Sequence, residues 1–286
     1  MTTERIVMAP SKLGAEALQH QQGGTAVVTF PRLADSKVLA QGVTTRSGGV
    51  SGGNFRSLNI SFKVSDDAVR VEENRVLLSK TLGIHLSRAV TVDQVHGDKV
   101  LILNANHAQA KKGGSLGEGD GLITKEIGVP ILMMVADCLP VFFYDPIHKA
   151  IGLAHAGWKG TVSHVAVKTL LAMGEAFGTK PDEARAVLGP CIGPCCYEVG
   201  KDVMEQFTGV FPWAMEVLEK RDATHWKLDL ATANAKQLIE MGLNEDHLIR
   251  SGLCTVENID LFYSHRAEAS ERGATGRIGA FMMLKG

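Results

Sequence analysis

The stretch ILMMVADCLPVFFYDPIHKAIGLAHA, residues 131–156, contains three short apolar runs separated by polar turns. The runs at 131–135, 141–144 and 150–154 have the length and the aliphatic and aromatic content of buried strands. Pro130, Asp137 and Pro140 interrupt the most apolar part of the chain, so it cannot form one helix across a hydrocarbon layer about 30 Å thick. We therefore expect these runs to form the centre of a sheet, with no membrane span.

Further strands and helices are predicted on both sides of this centre. The predicted strands are 25–30, 38–44, 89–95, 99–103, 121–124, 184–188 and 277–284, and the predicted helices are 161–177, 200–207, 230–241 and one that ends near Leu82. Strands and helices do not alternate regularly, which disfavours a doubly wound dinucleotide fold and a (β/α)₈ barrel. We predict one compact unit of layered α and β elements with mixed sheets over residues 25–286, after a loose extension at 1–24.

The helix that ends near Leu82 carries clear start and stop signals. Asp66 and Asp67 are suited to cap its first turn, and Gly83 is suited to end it. Val69, Glu73, Val76 and Leu77 recur at a helical spacing, which supports the prediction of a helix. We expect this helix to act as scaffold.

The composition is that of a soluble globular protein. Of 286 residues, 45% are hydrophobic, and 30 basic side chains face 31 acidic ones. This balance argues against nucleic acid as a partner, because phosphate backbones need clustered positive charge. The first 24 residues lack the apolar core of a secretory signal, and five cysteines, an odd number, suit a reducing compartment. We expect a cytoplasmic protein and, without a heptad or obvious apolar stripe, a monomer.

Three separate segments place a possible metal ligand at the end of a predicted strand. His96, Cys138 and His155 together form a legitimate zinc set, and three protein ligands leave the fourth position open for catalysis. Their spacing alone is weak evidence. Three alternative interpretations stay open. Each histidine could be a hydrogen-bonded turn residue, and Cys138 could be a small core residue. Cys138 and one of the histidines could also form a nucleophile with its base. Asp137 is a candidate to orient an imidazole or carry a proton, or else to cap the strand end.

Two segments are candidate anion sites. Residues 152–161, GLAHAGWKGT, have the glycine gap of a Walker A loop but not its lysine position, so they are not a nucleotide triphosphate loop. They still predict a helix start at Lys159, Gly160 and Thr161 that could hold phosphate, with a plain helix start as the equal alternative. Arg46, in a glycine-bearing loop, is a second candidate phosphate ligand. The alternative is that it is a solvated loop residue.

Polar and cationic side chains also accompany apolar residues near the C-terminus. His265 and Arg266 follow a short apolar run, and Arg277 follows Thr275 and Gly276. These residues are suited to a pocket wall, although singly such side chains are more often surface groups.

Cysteines cluster a second time in the segment CIGPCC, residues 191–196. The gap between Cys191 and Cys195 is three residues and no downstream histidine pair completes a zinc finger. The segment also lacks the HxE half of a nucleotide deaminase. We interpret it as a tight Gly-Pro turn that lines a pocket, rather than as a second metal site with Cys196, and we assign Cys254 to the core.

Taken together, these motifs resemble the YfiH/DUF152 family, also called the multicopper polyphenol oxidase (laccase) or purine nucleoside phosphorylase family, which includes the peptidoglycan editing factor. The resemblance runs from about residue 44 to residue 279. It rests on the ordered motifs TTRSGG (44–49) with SLN (57–59), QVHG (94–97), GDG (119–121), ADCLP (136–140), HAGWKG (155–160), LGPCIGPCCYEVG (188–200), FYSHR (262–266) and TGR (275–277). Lys159 stands where the family usually has arginine, which keeps the charge but loses the bidentate fork.

The resemblance implies a single-domain, layered α/β/α sandwich with mixed sheets, similar to the catalytic domain of cytotoxic necrotising factor. It implies a zinc site, with copper as an alternative, made by His96, Cys138 and His155. It also implies phosphorolysis of adenosine, inosine and methylthioadenosine, together with adenosine deamination. Asp137 and Cys138 become catalytic candidates, and the candidate substrate and phosphate ligands are Arg46, Asn59, Lys159, Gly160, Thr161, His265 and Arg266.

Two other functions stay open at this point. The first is a cysteine amidohydrolase that acts on peptidoglycan precursors with Cys138 as nucleophile. The second is a non-catalytic zinc-bearing binding protein. A polyphenol oxidase fits poorly, because a laccase needs several copper centres and the chain offers one His/Cys set without an evident axial methionine.

Overall fold

The computed structural model describes residues 18–22, 24–106 and 113–286. Its strands are β1 (Leu18–Gln22), β2 (Thr25–Thr29), β3 (Leu39–Thr44), β4 (Val90–Asp93), β5 (Val100–Leu103), β6 (Gly114–Glu118), β7 (Gly121–Thr124), β8 (Ile131–Val135), β9 (Leu139–Asp145), β10 (Ala150–Ala156), β11 (Arg185–Leu188), β12 (Glu198–Gly200), β13 (Leu218–Lys220), β14 (His225–Leu228), β15 (Leu248–Arg250) and β16 (Ile278–Leu284). Its helices are α1 (Ala68–Leu82), α2 (Trp158–Val162), α3 (Val165–Phe177), α4 (Lys201–Val210), α5 (Leu230–Glu240) and α6 (Ser270–Arg272).

Within these residues the strands form three sheets. The largest has the order β1-β2-β3-β16-β8-β4-β6, and the second has the order β15-β11-β9-β10-β7-β5. Both are mixed: β4 pairs parallel with β8 and β6, for example, whereas β16 pairs antiparallel with β3 and β8. A small antiparallel sheet, β12-β14-β13, completes the set.

The two large sheets pack face to face, and helices cover their outer faces. Successive side chains of β9 point to opposite faces of the second sheet. Phe142 and Tyr144 lie in the core between the two sheets, whereas Val141 and Phe143 lie in the core under the helices. Helices α3, α4 and α5 cover the second sheet, and α1 covers the first. The predicted α/β/α sandwich with mixed sheets is confirmed, with a double β layer at its centre.

The predicted helix forms as α1, with the expected cap and stop. Asp67 accepts a hydrogen bond from the N–H of Val69, and Gly83 ends the helix in the left-handed conformation. Val69 is 74% exposed, whereas Asn74 is fully buried together with apolar neighbours one turn away on either side. Asn74 faces inward, where it binds the backbone of the glycine-bearing loop.

Two other boundaries differ from the prediction. The helix expected at 161–177 begins earlier, at Trp158, and breaks at His164, whose φ of 64° is incompatible with a continuous helix. Strand β1 lies inside the stretch 1–24 that was expected to be loose, and it pairs with β2 along its whole length. Residues 1–17 of that expected extension lie outside the described part of the chain.

No helix among the described residues combines the length and the apolar character that a membrane crossing requires.

Candidate active site

The three predicted metal ligands converge. His96 lies in the turn after β4, Cys138 lies in the turn between β8 and β9, and His155 lies near the end of β10. Their ligand atoms all lie within 4.8 Å of one another. The two imidazole rings meet edge to face, with centroids 4.9 Å apart. Cys138 and the exposed His96 leave one side of the group open, while His155 is only 3% exposed.

Unusual backbone conformations aim these side chains. His96 and Asp137 both have positive φ angles, 60° and 81°, which non-glycine residues seldom adopt. Gly157, just after His155, leaves room for the group. A Cβ there would stand 2.9 Å from the Cys138 sulfur and 3.3 Å from the His96 ring, so a larger residue would displace both.

Asp120 holds two of the three ligands by hydrogen bonds. It was not predicted from the sequence as a site residue. Its carboxylate lies 2.8 Å from Nδ1 of His155 and accepts N–H groups from Val95, His96 and Gly97 at 3.1, 3.1 and 2.7 Å. A carboxylate on the far nitrogen of a histidine fixes which nitrogen faces a metal. The only signal in the sequence was the GDG motif at 119–121.

The electrostatics of the site favour a charged pair when no metal is bound. Burial opposes the thiolate, but the neighbouring His155 charge and hydrogen bonds from both imidazoles lower the pKa of Cys138 to about 6. Burial likewise opposes a charged imidazole, but Cys138 and Asp120 raise the pKa of His155 to about 9. For Asp120, hydrogen bonds from His155, Gly97 and Val95 outweigh burial and lower its pKa. The thiol is therefore ready to act as a ligand or as a nucleophile.

The group opens into a cavity of about 380 Å³, which is large enough for a small organic substrate. Apart from the three ligands, its wall contains apolar, aromatic, polar and cationic side chains. They are Ser61, Lys63, Val64, Gln94, Met134, Ala136, Asp137, Gly157, Trp158, Ile192, Tyr197, Leu230, His265, Arg266 and Arg277.

Besides the two ligand histidines, four basic side chains line this cavity. Arg266 donates to the Glu198 carbonyl at 2.7 Å, and its guanidinium carbon lies 5.2 Å from the centre of the Tyr197 ring. Arg277 donates to two neighbouring carbonyls, and burial lowers its pKa although Cys138 and Asp137 partly offset the effect. His265 and Lys63 are the other two. His265 and Arg266 were predicted as substrate ligands and Arg277 as part of a pocket wall, whereas Lys63 was not predicted.

Asp137 lines the cavity but has its oxygens occupied. Oδ1 accepts the Thr255 hydroxyl at 2.5 Å, and Oδ2 accepts the Ser264 hydroxyl at 3.1 Å and the N–H of Arg266 at 2.6 Å. These contacts tie the Cys138 turn to the segment that carries His265. They favour a positioning role, and the prediction that Asp137 carries a proton stays untested.

Two predicted substrate ligands lie outside the cavity wall. The Arg46 guanidinium donates to the Arg56 carbonyl, pairs with Glu268 at 3.0 Å and stacks on Tyr263 at 4.4 Å. Asn59 is fully buried, donates to Asp66 at 2.9 Å, and accepts the N–H of Arg277 at 3.0 Å. The structure does not bring either side chain to the His96–Cys138–His155 group.

The predicted phosphate ligands at 159–161 also lie outside the cavity wall, although Trp158, at the start of the same helix, lines it. Helix α2 has only five residues, and its Gly160 and Thr161 are buried. The Thr161 hydroxyl donates to the Gly157 carbonyl at 2.9 Å and accepts a hydrogen bond from Asn234. Lys159 is exposed, with Nζ 5.6 Å from the Trp158 ring centre. The prediction that this helix start holds phosphate stays untested.

The donor set suits a borderline or soft metal ion. Two imidazoles and one thiolate are a ligand combination found for catalytic zinc, and they also suit copper. His155 is held by Asp120 in the manner of a metal-ligating histidine, while the cavity side of the group is open. The residues therefore fit a bound metal with a free coordination position.

Comparison with known proteins identifies the family of this chain. A purine nucleoside phosphorylase of Deinococcus radiodurans is 40% identical over 263 residues, covering 91% of this chain and 94% of that one. The purine nucleoside phosphorylase YlmD of Bacillus subtilis is 35% identical over 257 residues, covering 88% and 90%. The crystal structure of the hypothetical protein YfiH of Bacillus licheniformis superimposes with a TM-score of 0.84 at 31% identity, covering 93% and 98%. A family model described as multi-copper polyphenol oxidoreductase laccase matches residues 40–285. The chain therefore belongs to this laccase-like YfiH/DUF152 family.

Proposed function

We propose that this protein is a zinc-dependent purine nucleoside phosphorylase. Its substrates would be adenosine, inosine and methylthioadenosine, which it would cleave with phosphate to the free base and a sugar 1-phosphate. We also propose that the same site deaminates adenosine. The observation that carries the proposal is the convergence of His96, Cys138 and His155 at the wall of a cavity that cationic side chains also line. The printed names of the relatives support the phosphorylase activity.

In this proposal the metal ligands hold the cation and the cavity wall holds the substrates. A zinc ion bound there supplies a Lewis acid that polarises an oxygen of substrate or water. Arg266 and Arg277 bind phosphate, because guanidinium groups form strong charge-assisted hydrogen bonds with its oxygens. The purine lies against the apolar wall, where Met134 and Tyr197 exclude water from one face.

Phosphorolysis then requires alignment and one proton transfer. A phosphate oxygen attacks C1′ of the ribose, the C1′–N9 bond breaks, and the base takes a proton as it leaves. The arginines align the attacking oxygen. His265, whose exposed side chain lines the cavity, is our candidate to donate the proton to the base. Asp137 fixes the position of Arg266 relative to the Cys138 turn, because its carboxylate accepts the Arg266 N–H.

The direct test is a nucleoside panel on zinc-loaded protein, with and without phosphate, after measurement of the metal content. Base and sugar 1-phosphate should appear only with phosphate, and inosine should form from adenosine without it. Cys138→Ala should lose both metal and turnover. Cys191→Ala is the matched control, because Cys191 is buried but does not line this cavity. Full phosphorolysis by a zinc-free Cys138→Ala protein would falsify the proposal.

A second candidate is supported by the Asp120–His155–Cys138 arrangement. A thiol with a pKa lowered to about 6, beside an imidazole that a carboxylate orients, has the features of a cysteine nucleophile with its base. This protein would be an amidohydrolase that acts on peptidoglycan precursors. Alkylation of metal-free protein should then abolish amide hydrolysis, and chelators should leave it unchanged. If the protein is a zinc-dependent phosphorylase, chelators should instead abolish its activity.

We propose the cytoplasm as the location and a monomer as the working form. The described chain has five free cysteines, as suits a reducing compartment. A polyphenol oxidase activity is a weaker candidate. Although the family description names copper, the three cavity ligands form one mixed imidazole–thiolate group instead of several copper centres.

A further inference from the structure

A second group of sulfur atoms lies behind the wall of the cavity. The Sγ atoms of Cys195, Cys196 and Cys254 lie within 4.8 Å of one another, and all three are free thiols. The tight turn expected from the sequence does form, with the Cys196 N–H donating to the Gly193 carbonyl at 3.0 Å. Cys254, however, is more than a core residue. A parallel bridge between Cys191 and Cys254 brings it against the turn.

We propose that these three thiols bind one thiophilic d¹⁰ cation, Zn²⁺ or Cu⁺, as a structural site. Thiolates are the soft ligands that both ions prefer. Tetrahedral zinc with Zn–S bonds of about 2.3 Å sets its sulfur atoms about 3.8 Å apart. Because the three sulfurs already lie within 4.8 Å of one another, shifts of about 1 Å or less would bring them to that spacing.

The backbone around the sulfurs is arranged as in a metal-binding turn. The N–H of Gly193 points at Cys254 Sγ with an N···S distance of 3.3 Å. Hydrogen bonds of this kind to ligating sulfurs orient and tune metal sites. Gly193 is also needed for space, since a Cβ there would stand 3.3 Å from Cys195 Sγ and 3.5 Å from Cys254 Sγ. A side chain at this position would therefore press against both sulfur-bearing residues.

The surroundings provide access and a fourth ligand. Cys195 is exposed and Cys254 is buried, so the group spans the surface and the interior. A cavity of about 270 Å³ adjoins it and is also lined by the exposed carboxylate of Glu257. Glu257 or water would complete a four-coordinate site. Without a cation, burial raises the pKa of both Cys195 and Cys196, so the thiols keep their protons until a metal displaces them.

The group is mechanically connected to the first cavity. Ile192 lines both cavities, and its N–H donates to the Asp137 carbonyl at 2.9 Å. Thr255, next to Cys254, donates to the Asp137 carboxylate. A cation held by the thiols would therefore fix the segment that supports the Cys138 turn. The proposal concerns metal binding only and does not depend on the proposed enzymatic function.

Titration of reduced, metal-free full-length protein with Cd²⁺ tests the proposal. Cd²⁺ reports each bound thiolate through its ultraviolet charge-transfer absorbance. We expect two ions per chain, with Cys138→Ser losing one and keeping most of the absorbance. Cys195→Ser should also lose one ion but should lose most of the absorbance, and its exposed position makes this variant safe for folding. Cys191→Ala is the matched control and should keep both ions.

Three results would overturn the site. The first is uptake of only one ion by the wild type, if that ion is lost in Cys138→Ser and kept in Cys195→Ser. The second is unchanged stoichiometry and absorbance in Cys195→Ser. The third is a count of three free thiols in denaturant for the protein as isolated, because a disulfide between two of the three cysteines would then replace the metal. A count of five thiols together with metal in the isolated protein supports the site.

Discussion

Asp120 Oδ1 lies 2.8 Å from Nδ1 of His155, while the same carboxylate accepts the backbone N–H groups of Val95, His96 and Gly97. One buried side chain thus fixes the orientation of one candidate metal ligand and the loop of another. Nε2 of His155 is left to face the sulfur of Cys138. The geometry of the three ligands therefore depends on a residue that would not itself touch the metal.

Replacement of Asp120 by asparagine should weaken metal binding. An asparagine amide in this place can accept through only one of its two terminal atoms, so the ring of His155 and the N–H groups of the His96 loop lose part of their support. Loss of such a partner typically costs roughly 10- to 100-fold in metal affinity. Competition with a chromophoric chelator measures the affinity directly.

Asp145→Asn is the matched control for this change. Asp145 is also fully buried, accepts two backbone N–H groups, and lies 2.8 Å from Nδ1 of His148, outside the cavity. The control should lose stability without losing metal affinity. If both variants bind metal equally well, Asp120 does not position the ligands.

The pKa of Cys138 predicts a distinctive alkylation profile for the metal-free protein. An ordinary thiol has a pKa near 9.0, whereas that of Cys138 is lowered to about 6. The thiolate is therefore present above pH 6 and is lost as the pH falls through 6, so modification by iodoacetamide should have its midpoint there. The pKa values of Cys191, Cys195 and Cys196 are raised, and these residues should react only at higher pH.

Residue-resolved mass spectrometry follows the reaction. Asp120→Asn should move the Cys138 midpoint upward, because His155 loses the carboxylate that favours its positive charge. Saturating zinc should block the reaction. A midpoint near 9 for Cys138 in the metal-free wild type would contradict the charged-pair interpretation.

The sequence predicted the three residues that converge and most of the fold, but not Asp120, which supports two of them. His96, Cys138 and His155 follow or end strands, and strand periodicity is a local signal. Asp120 supports His155 across a strand pair, and nothing in the local pattern at Asp120 distinguishes it from a turn residue. The resemblance to the family supplied what spacing could not, since the ligands lie far apart in the chain.

The predicted anion ligands Arg46 and Lys159 lie outside the cavity wall for a related reason. Arg46 and Lys159 carry the right charge, but the direction of a side chain is decided by tertiary partners. Glu268 and Tyr263 hold Arg46, and the short helix α2 leaves Lys159 exposed. In the same way, Asn74 faces inward because the loop it supports offers backbone groups to bind, which hydropathy cannot reveal.

The cavity cations provide a third prediction. If Arg266 binds phosphate, Arg266→Gln should raise the KM for phosphate roughly 10- to 100-fold, since a hydrogen bond to a charged group contributes about 1.5–3 kcal/mol. The KM for nucleoside should change much less. Steady-state kinetics with each substrate varied in turn measures both values.

Lys159→Gln is the control for this experiment, because it removes one positive charge outside the cavity wall. It should leave the phosphate KM within twofold of the wild type, as roughly expected for a screened surface charge. If Lys159→Gln raises the KM for phosphate and Arg266→Gln does not, phosphate binds at the start of α2 and not at Arg266.

The last prediction concerns packing near the cavity. A Cβ at Gly276 would stand 2.5 Å from the Tyr263 ring, and this buried ring carries Arg46 on its face and donates its hydroxyl to the Phe55 carbonyl. Gly276→Ala must displace the ring, so we expect a loss of about 1–3 kcal/mol in the free energy of unfolding, as for other overpacked sites. Gly209, inside α4, has open space where a Cβ would lie, so Gly209→Ala should instead gain about 0.5–1 kcal/mol from the entropy of the unfolded chain. Urea unfolding of the two variants should therefore shift the midpoint in opposite directions, and equal shifts would mean that contact with Tyr263 is not what requires glycine at position 276.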